Sequence, residues 1–241
     1  LKYFLLLTSI QKQQTMQFEP NHMYHIFNRG NNSQKIFFTR DNYLFFLKKI
    51  KLYILSYADI LAWCLMPNHF HLMVYVNQIS ISKQVTESHQ LTGKRTEQVP
   101  ESHQLTESRP EQVIESHQLT KSRSINDSIS ILLRSYTRAI QKQENFTGSL
   151  FQHRTKSICL TDISGVTPAW FETTFGASIN IPDGDKDYPQ VCFNYIHENP
   201  VTAGMVKNAG DWEFSSYRDF SGKIDGKLIS RNRAEEFELH I

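Results

Sequence analysis

Two histidines two positions apart, His69 and His71, are the residues of this chain best suited to chemistry. They stand in the run 66–74 (MPNHFHLMV), which predicts a β-strand entered through a Pro-Asn turn. Residues two apart in a strand project from the same face, so the imidazoles would lie side by side while Phe70 and Leu72 face a core. This arrangement suits a divalent metal ion.

A candidate nucleophile for such a metal is Tyr136. It lies mid-face on a predicted helix that packs on the sheet carrying the histidines, so its hydroxyl could reach the metal. There it could attack a phosphodiester and form a covalent phosphotyrosine while the metal stabilises developing charge. Taken alone, it is more typical of a core tyrosine with its hydroxyl at the rim. The apolar residues at helical spacing are Ile129, Leu132, Leu133, Tyr136, Ala139 and Ile140.

Basic residues dominate the stretch 134–156, whose single acid is Glu144. Such a stretch could hold the phosphates of nucleic acid, and Phe146 and Phe151 could stack exposed bases. An ordinary solvated face would show the same pattern. Arg29, at the end of the first predicted strand, is a further candidate DNA contact. The basic residues of the stretch are Arg134, Arg138, Lys142, Arg154 and Lys156.

The elements that would position these residues follow the order β-α-β-β-α-β. Hydrophobic patterns predict strands over 23–29, 60–66, 69–76 and 150–160. Helices are predicted from Asp41 to about Tyr57 and from Asp127 onward, each acid serving as the N-cap. This order indicates an α+β fold, a ferredoxin-like split βαβ antiparallel sheet with helices packed on one face. A C-terminal helical extension is predicted at 188–198.

A polar repeat interrupts the pattern. The sequence ESHQLT occurs at 87–92, 101–106 and 115–120, a period of 14 residues. Such a tract buries too little apolar area to offset its ordering entropy, so 77–124 is predicted to be a flexible insertion. The domain would then span 16–220, with 1–15 as a disordered extension and 221–241 as a tail.

Composition narrows the function classes. A hydrophobic content of 39% supports a real core, and a net charge of +2 means that any nucleic-acid surface is local. The three cysteines have neither zinc nor disulfide spacing, which fits a reducing cytoplasm. The apolar run at 1–7 is too short to span a bilayer, so no membrane partner is expected.

Four segments together resemble the single-tyrosine transposases of the HUH class: the first is similar to the IS200-like members, and the last to the REP-associated tyrosine transposases. The resemblance covers roughly 23–220, except the insertion and 161–187, and the order and spacing of the segments make it specific. It implies that His69 and His71 bind Mg²⁺ or Mn²⁺, that Tyr136 is the nucleophile, and that single-stranded hairpin DNA is the partner of a monomer or homodimer. The segments are MPNHFHL (66–72), SYTR (135–138), GSLFQHRTK (148–156) and YIHENPVTAG (195–204), the last joined by Trp212 and SSYR (215–218).

The same resemblance implies a third metal ligand, an amide side chain about one turn after the tyrosine. One turn after Tyr136 stands Ile140, and the nearest amide is Gln141, which lies off the tyrosine's face at 100° per residue. Either the helix distorts so that Gln141 binds, or the third ligand is absent or comes from elsewhere. Two other histidines are given structural interpretations. His25, on the first strand, could face the same site but is expected to pack, and His197 is expected to cap a helix rather than to bind a metal.

Two other functions stay open on sequence. A catalytically inactive hairpin-binding protein derived from such a transposase would bind DNA without metal. A metal-dependent hydrolase would use the histidines to activate water and would have no role for Tyr136.

Overall fold

The computed structural model describes residues 16–84, 120–161, 170–172, 178–180 and 184–241. The predicted extension 1–15 lies outside the described residues. So do 85–119, which hold the first two repeat units and most of the third.

A four-stranded antiparallel sheet forms the centre of the fold. Its strands are β1 (Met23–Arg29), β2 (Ala58–Met66), β3 (His69–Val76) and β6 (Lys156–Cys159). Their order is β2-β3-β1-β6, which is the ferredoxin-like order, so the predicted fold class is confirmed. Only the second half of the predicted strand 150–160 joins the sheet; the first half holds an isolated bridge between Phe151 and Gly30.

Two long helices pack on one face of this sheet. They are α1 (Arg40–Tyr53) and α2 (Ile125–Glu144). The caps lie slightly earlier than predicted: Thr39 caps α1, and Ser124 caps α2 in a box that Asp127 completes from the third helical position. Asn42 of α1 donates to Gln143 of α2 at 2.8 Å, which links the two helices.

A third helix, α3 (Gly184–Thr202), packs on the opposite face, against β2 and β3. A separate hydrophobic core therefore lies on each face of the sheet. Phe70, Leu72 and Val74 face α1 and α2, whereas Met73 lies in the core that contains Phe193 and Ile196 of α3. The period-two alternation of β3 assigns each of its residues to one core or the other.

The C-terminal region covers the outer edge of β2. Leu65 donates its amide to the Phe214 carbonyl and Ser216 donates to that of Trp63, both at 2.9 Å. Further on, Ser230 donates to the Ile60 carbonyl. The fold thus extends beyond residue 220 and includes α4 (Tyr217–Phe220) and α5 (Arg231–Glu236). Covering an edge in this way blocks pairing with a second chain.

The two ends of the predicted insertion form a short ladder. Strands β4 (Ser80–Gln84) and β5 (Thr120–Ser124) pair antiparallel, with Gln84 opposite Thr120. A second small pair joins β7 (Trp170–Glu172) to β8 (Ser178–Asn180). None of the helices among the described residues is both long and apolar enough to cross a membrane.

Candidate active site

The histidine pair lies at the start of β3, directly after the Pro67-Asn68 turn. His69 and His71 project from the face opposite to Phe70 and Leu72, with ring centroids 5.0 Å apart. Both side chains are buried beneath α3. The predicted pairing of the two imidazoles on one face is therefore confirmed.

Helix α3 places an amide against both histidines. The Asn199 Oδ1 atom lies 3.1 Å from His69 Nε2, and its Nδ2 atom lies 3.4 Å from His71 Nε2. One turn earlier, the half-buried Tyr195 stands edge-on to His71, with ring centroids 5.3 Å apart and planes at 82°. Residues i and i+4 share a helix face, so α3 presents this tyrosine and this amide to the histidines together.

The end of α3 is fixed by local sequence. Gly204 adopts φ 67°, and Met205 and Gly204 donate their amides back to the carbonyls of Pro200 and Val201. This is a Schellman termination. Asn199 consequently sits in the last turn, where the helix dipole favours a positive charge. A cation bound between Asn199 and the histidines would lie at this end of the helix.

Burial keeps the site histidines neutral. It lowers the pKa of His69 to about 4, with the nearby Arg29 guanidinium adding to the effect and the Asn199 hydrogen bond opposing it. The pKa of His71 is well below its ordinary value because of burial and the neighbouring His25 and His69. At neutral pH each ring therefore carries one hydrogen and one lone pair.

The polar contacts of His69 indicate whether its Nε2 atom is available to a metal ion. Its Nδ1 atom lies 2.6 Å from Asn68 Oδ1, an acceptor, so the ring hydrogen belongs on Nδ1. The Nε2 lone pair then faces the Asn199 carbonyl oxygen, also an acceptor. A divalent cation bound by both atoms would relieve that clash of lone pairs, so the residues present fit a metal.

The ligand set would be two imidazoles and one amide oxygen. In the described part of the chain no group of three His, Cys, Asp or Glu side chains is arranged to hold a metal ion. Imidazole nitrogens favour transition metals such as Mn²⁺, and an amide oxygen also suits Mg²⁺.

Two of the predicted DNA contacts border the site. Arg29 pairs with His69 across the sheet, and its guanidinium donates to Ser33 Oγ at 2.6 Å. Lys156 pairs with Phe27, and its exposed ammonium lies 5.8 Å from that ring. Arg154 is exposed on the loop before β6. These three cations lie at the β1–β6 side of the sheet.

Tyr136 does not join the histidines. Its ring is fully buried on α2 among Phe37, Phe46 and Phe151, in the core of the opposite face. Its hydroxyl donates to the Ile36 carbonyl at 2.7 Å, and burial raises its pKa. The predicted convergence of Tyr136 on the metal site is therefore wrong, because α2 packs its apolar side against the Phe70 face and the sheet lies between that side and His69.

The remaining predicted residues of α2 also lie away from the histidines. The Gln141 amide donates to the Gly148 carbonyl at 2.6 Å, so it is not placed as a third metal ligand. Arg134 and Arg138 are exposed on the outer side of α2. They occupy the layer opposite α3.

The structure confirms the prediction for one of the other two histidines and contradicts that for the second. His25 is buried and packs on Phe27 as predicted, and it also faces the site, with Nε2 at 2.8 Å from His71 Nδ1. His197 caps no helix; it is buried, with Nε2 at 2.7 Å from Ser216 Oγ. The spacing of Tyr195 and Asn199 was a readable signal for the site, because an amide follows that tyrosine by one turn.

Comparisons with known proteins add one likeness. No family model matches the chain, and no curated protein matches it. The solved structure of a REP-associated tyrosine transposase bound to a REP hairpin is similar at 15% sequence identity and a TM-score of 0.44, over 92% of this chain and 98% of that chain.

Proposed function

We propose that this protein cleaves and rejoins single-stranded, hairpin-forming DNA through a covalent phosphotyrosine, with a divalent metal ion as cofactor. Tyr195 replaces Tyr136 as the nucleophile, and Asn199 replaces Gln141 as the third ligand beside His69 and His71. The observation that carries the proposal is the spacing on α3: a tyrosine and an amide one turn apart, both against the histidine pair.

The Tyr195 hydroxyl is the one protein group that reacts in the proposed cleavage. The Tyr195 oxygen forms a bond to phosphorus, the bond from phosphorus to one deoxyribose oxygen breaks, and the phenol proton passes through solvent to that oxygen. The phosphotyrosine ester retains the energy of the phosphodiester, so a second DNA end can reverse the step without a nucleotide cofactor. The metal, when bound, would polarise the phosphate and offset its growing negative charge.

Basic side chains next to the site support a nucleic-acid substrate. Arg29 and Lys156 lie beside the histidines on the β1–β6 side and can hold phosphates next to the reacting one. Arg154 extends the same border. Arg134 and Arg138, on the far side of the sheet, would serve only DNA that wraps around the molecule. That the DNA forms a hairpin is the part of the proposal that rests on the resemblance of the sequence motifs.

Adduct formation tests the proposal. The protein is incubated with hairpin-bearing oligonucleotides from DNA flanking its gene, with Mn²⁺ or Mg²⁺, and separated on a denaturing gel. We expect a covalent protein–DNA band that disappears in Tyr195→Phe, since the phenylalanine ring keeps the packing but has no oxygen to attack. His69→Ala and Asn199→Ala should lower its yield by removing a metal ligand.

The matched control is Tyr136→Phe, which removes a tyrosine hydroxyl from the other side of the sheet. It should keep the adduct. An adduct that survives Tyr195→Phe but is lost in a folded Tyr136→Phe would restore the assignment made from sequence. DNA binding without any adduct would indicate an inactive hairpin binder, and cleavage that survives both substitutions without an adduct would indicate metal-activated water.

A further inference from the structure

His25 occupies the centre of β1, buried beside the histidine pair. Its Nε2 atom lies 2.8 Å from His71 Nδ1, and the two rings are stacked with centroids 5.0 Å apart and planes at 21°. It also stacks on Phe27 and meets the edge of Tyr195. The chain therefore places a third imidazole directly behind one of the two proposed metal ligands.

Only one hydrogen fits between two neutral imidazoles in such contact. If His71 carries its hydrogen on Nδ1, it donates to His25 Nε2 and keeps a lone pair on its own Nε2. If the direction is reversed, His71 carries the hydrogen on Nε2, where it points at the Asn199 amide and blocks a metal. The direction of this one hydrogen bond decides whether His71 can be a ligand.

We propose that His25 is a positioning residue that accepts the Nδ1 hydrogen of His71 and so holds His71 in its metal-binding tautomer; the inference rests on the proposed metal site. The Asn199 Nδ2 donor, 3.4 Å from His71 Nε2, favours the same direction. His69 is held in the matching tautomer by Asn68. Each ligand histidine thus has its own acceptor behind it, as metal-bound histidines in proteins generally do.

An imidazole suits this position better than a carboxylate would. His25 is 1% exposed and lies among aromatic rings, where an ionised acceptor would be costly to bury. A neutral imidazole accepts the hydrogen bond without adding charge. The structure therefore achieves orientation of His71 without placing an anion behind the metal.

The tautomer can be measured without metal or DNA. Long-range ¹H–¹⁵N spectra distinguish histidine rings protonated on Nδ1 from those protonated on Nε2. We expect His71 to be protonated on Nδ1 in the wild type and in His25→Gln, whose amide oxygen can accept the same hydrogen. In His25→Leu, which has no acceptor, that preference should be lost.

Metal affinity gives the second readout. Calorimetric titration with Mn²⁺ should show binding weakened about 10- to 100-fold in His25→Leu, the usual effect of losing a partner behind a ligand. His25→Gln should recover most of the affinity. The matched control is His22→Leu, which removes a nearby histidine that contacts Thr161 rather than His71; its affinity should equal that of the wild type.

The outcomes separate the inference from the proposed function. A wild type that binds Mn²⁺, together with a folded His25→Leu that binds equally well and keeps the His71 tautomer, would overturn the inference alone. Absence of Mn²⁺ binding and of any DNA adduct in the wild type would overturn the proposed function and with it the metal role of His25.

Discussion

Asn199 and Tyr136 show how differently two polar side chains are used in this molecule. The Asn199 amide lies between two imidazoles and contacts both of them with its polar atoms. The Tyr136 hydroxyl instead donates one hydrogen bond to the Ile36 carbonyl, at the edge of an aromatic cluster. The predicted helix face and the motif resemblance both favoured Tyr136, beside a basic stretch. Geometry favours Tyr195, because its ring neighbours are the imidazoles of His71 and His25, which are able to bind a metal, rather than phenylalanines.

Buried histidines should make the folded state sensitive to acid. Burial lowers the pKa of His25 and His197 to about 3 and that of His69 to about 4, against about 6.5 in an unfolded chain. Below pH 6.5 the unfolded chain takes up protons that the folded chain refuses, so stability is full above 6.5 and falls as the pH drops. Urea unfolding at pH 7, 6 and 5 should show a loss of at most about 1.4 kcal/mol per pH unit per histidine.

His197→Gln provides the control for this acid sensitivity. His197 lies outside the proposed site, and glutamine can keep a hydrogen bond to Ser216 without titrating. The variant should lose stability less steeply between pH 7 and 5 than the wild type. Equal slopes in the two proteins would show that His197 does not contribute.

At the scale of elements, much could be predicted from periodicity. The alternation along β3 and the apolar face of α2 predicted both elements and their order, because each pattern repeats several times along its element. The side of the sheet on which α2 packs was not predicted correctly, because the alternation of β3 defines two faces without assigning a helix to either one. The packing of α3 on the other face could not be predicted, because the sequence between β6 and α3 has no periodic pattern.

The C-terminus of α3 supports the site through its glycine. A side chain at Gly204 would meet no neighbour within 4 Å, so a substitution there acts through the backbone alone. Since φ is 67°, Gly204→Ala should lower the free energy of unfolding by about 1 kcal/mol. Gly204→Asn should cost less, because asparagine tolerates the left-handed region. Urea titrations would measure both, and an alanine variant as stable as the asparagine variant would contradict this account.

At the scale of the whole molecule, every group of the proposed site comes from one chain. The described residues supply the histidines from β3, the amide and tyrosine from α3, and the cations from β1 and β6. The covered edge of β2 is closed to sheet pairing with a second copy. A single chain can therefore assemble the proposed site.

Removing the repeats should leave this site intact. Gln84 and Thr120 face each other across the β4–β5 ladder, so residues 85–119 can be replaced by a two-residue Asn-Gly hairpin turn. The shorter closure should raise the free energy of unfolding by about 2 kcal/mol, as urea unfolding would measure. The DNA adduct should form as before; its loss in a folded deletion protein would mean that the repeats contact DNA.

The β4–β5 ladder also determines how freely the number of 14-residue repeat units can change during evolution. Because Gln84 and Thr120 are neighbours, the intervening chain leaves and re-enters the fold at one point. Gain or loss of a 14-residue unit shifts no residue of the sheet or of the site, and the entropy of closing the loop grows only logarithmically with length. Selection that preserves the site therefore does not act on the number of repeat units. Close relatives should differ in that number, while the number of residues from His71 to Ser80 and from Ser124 to Tyr195 stays the same.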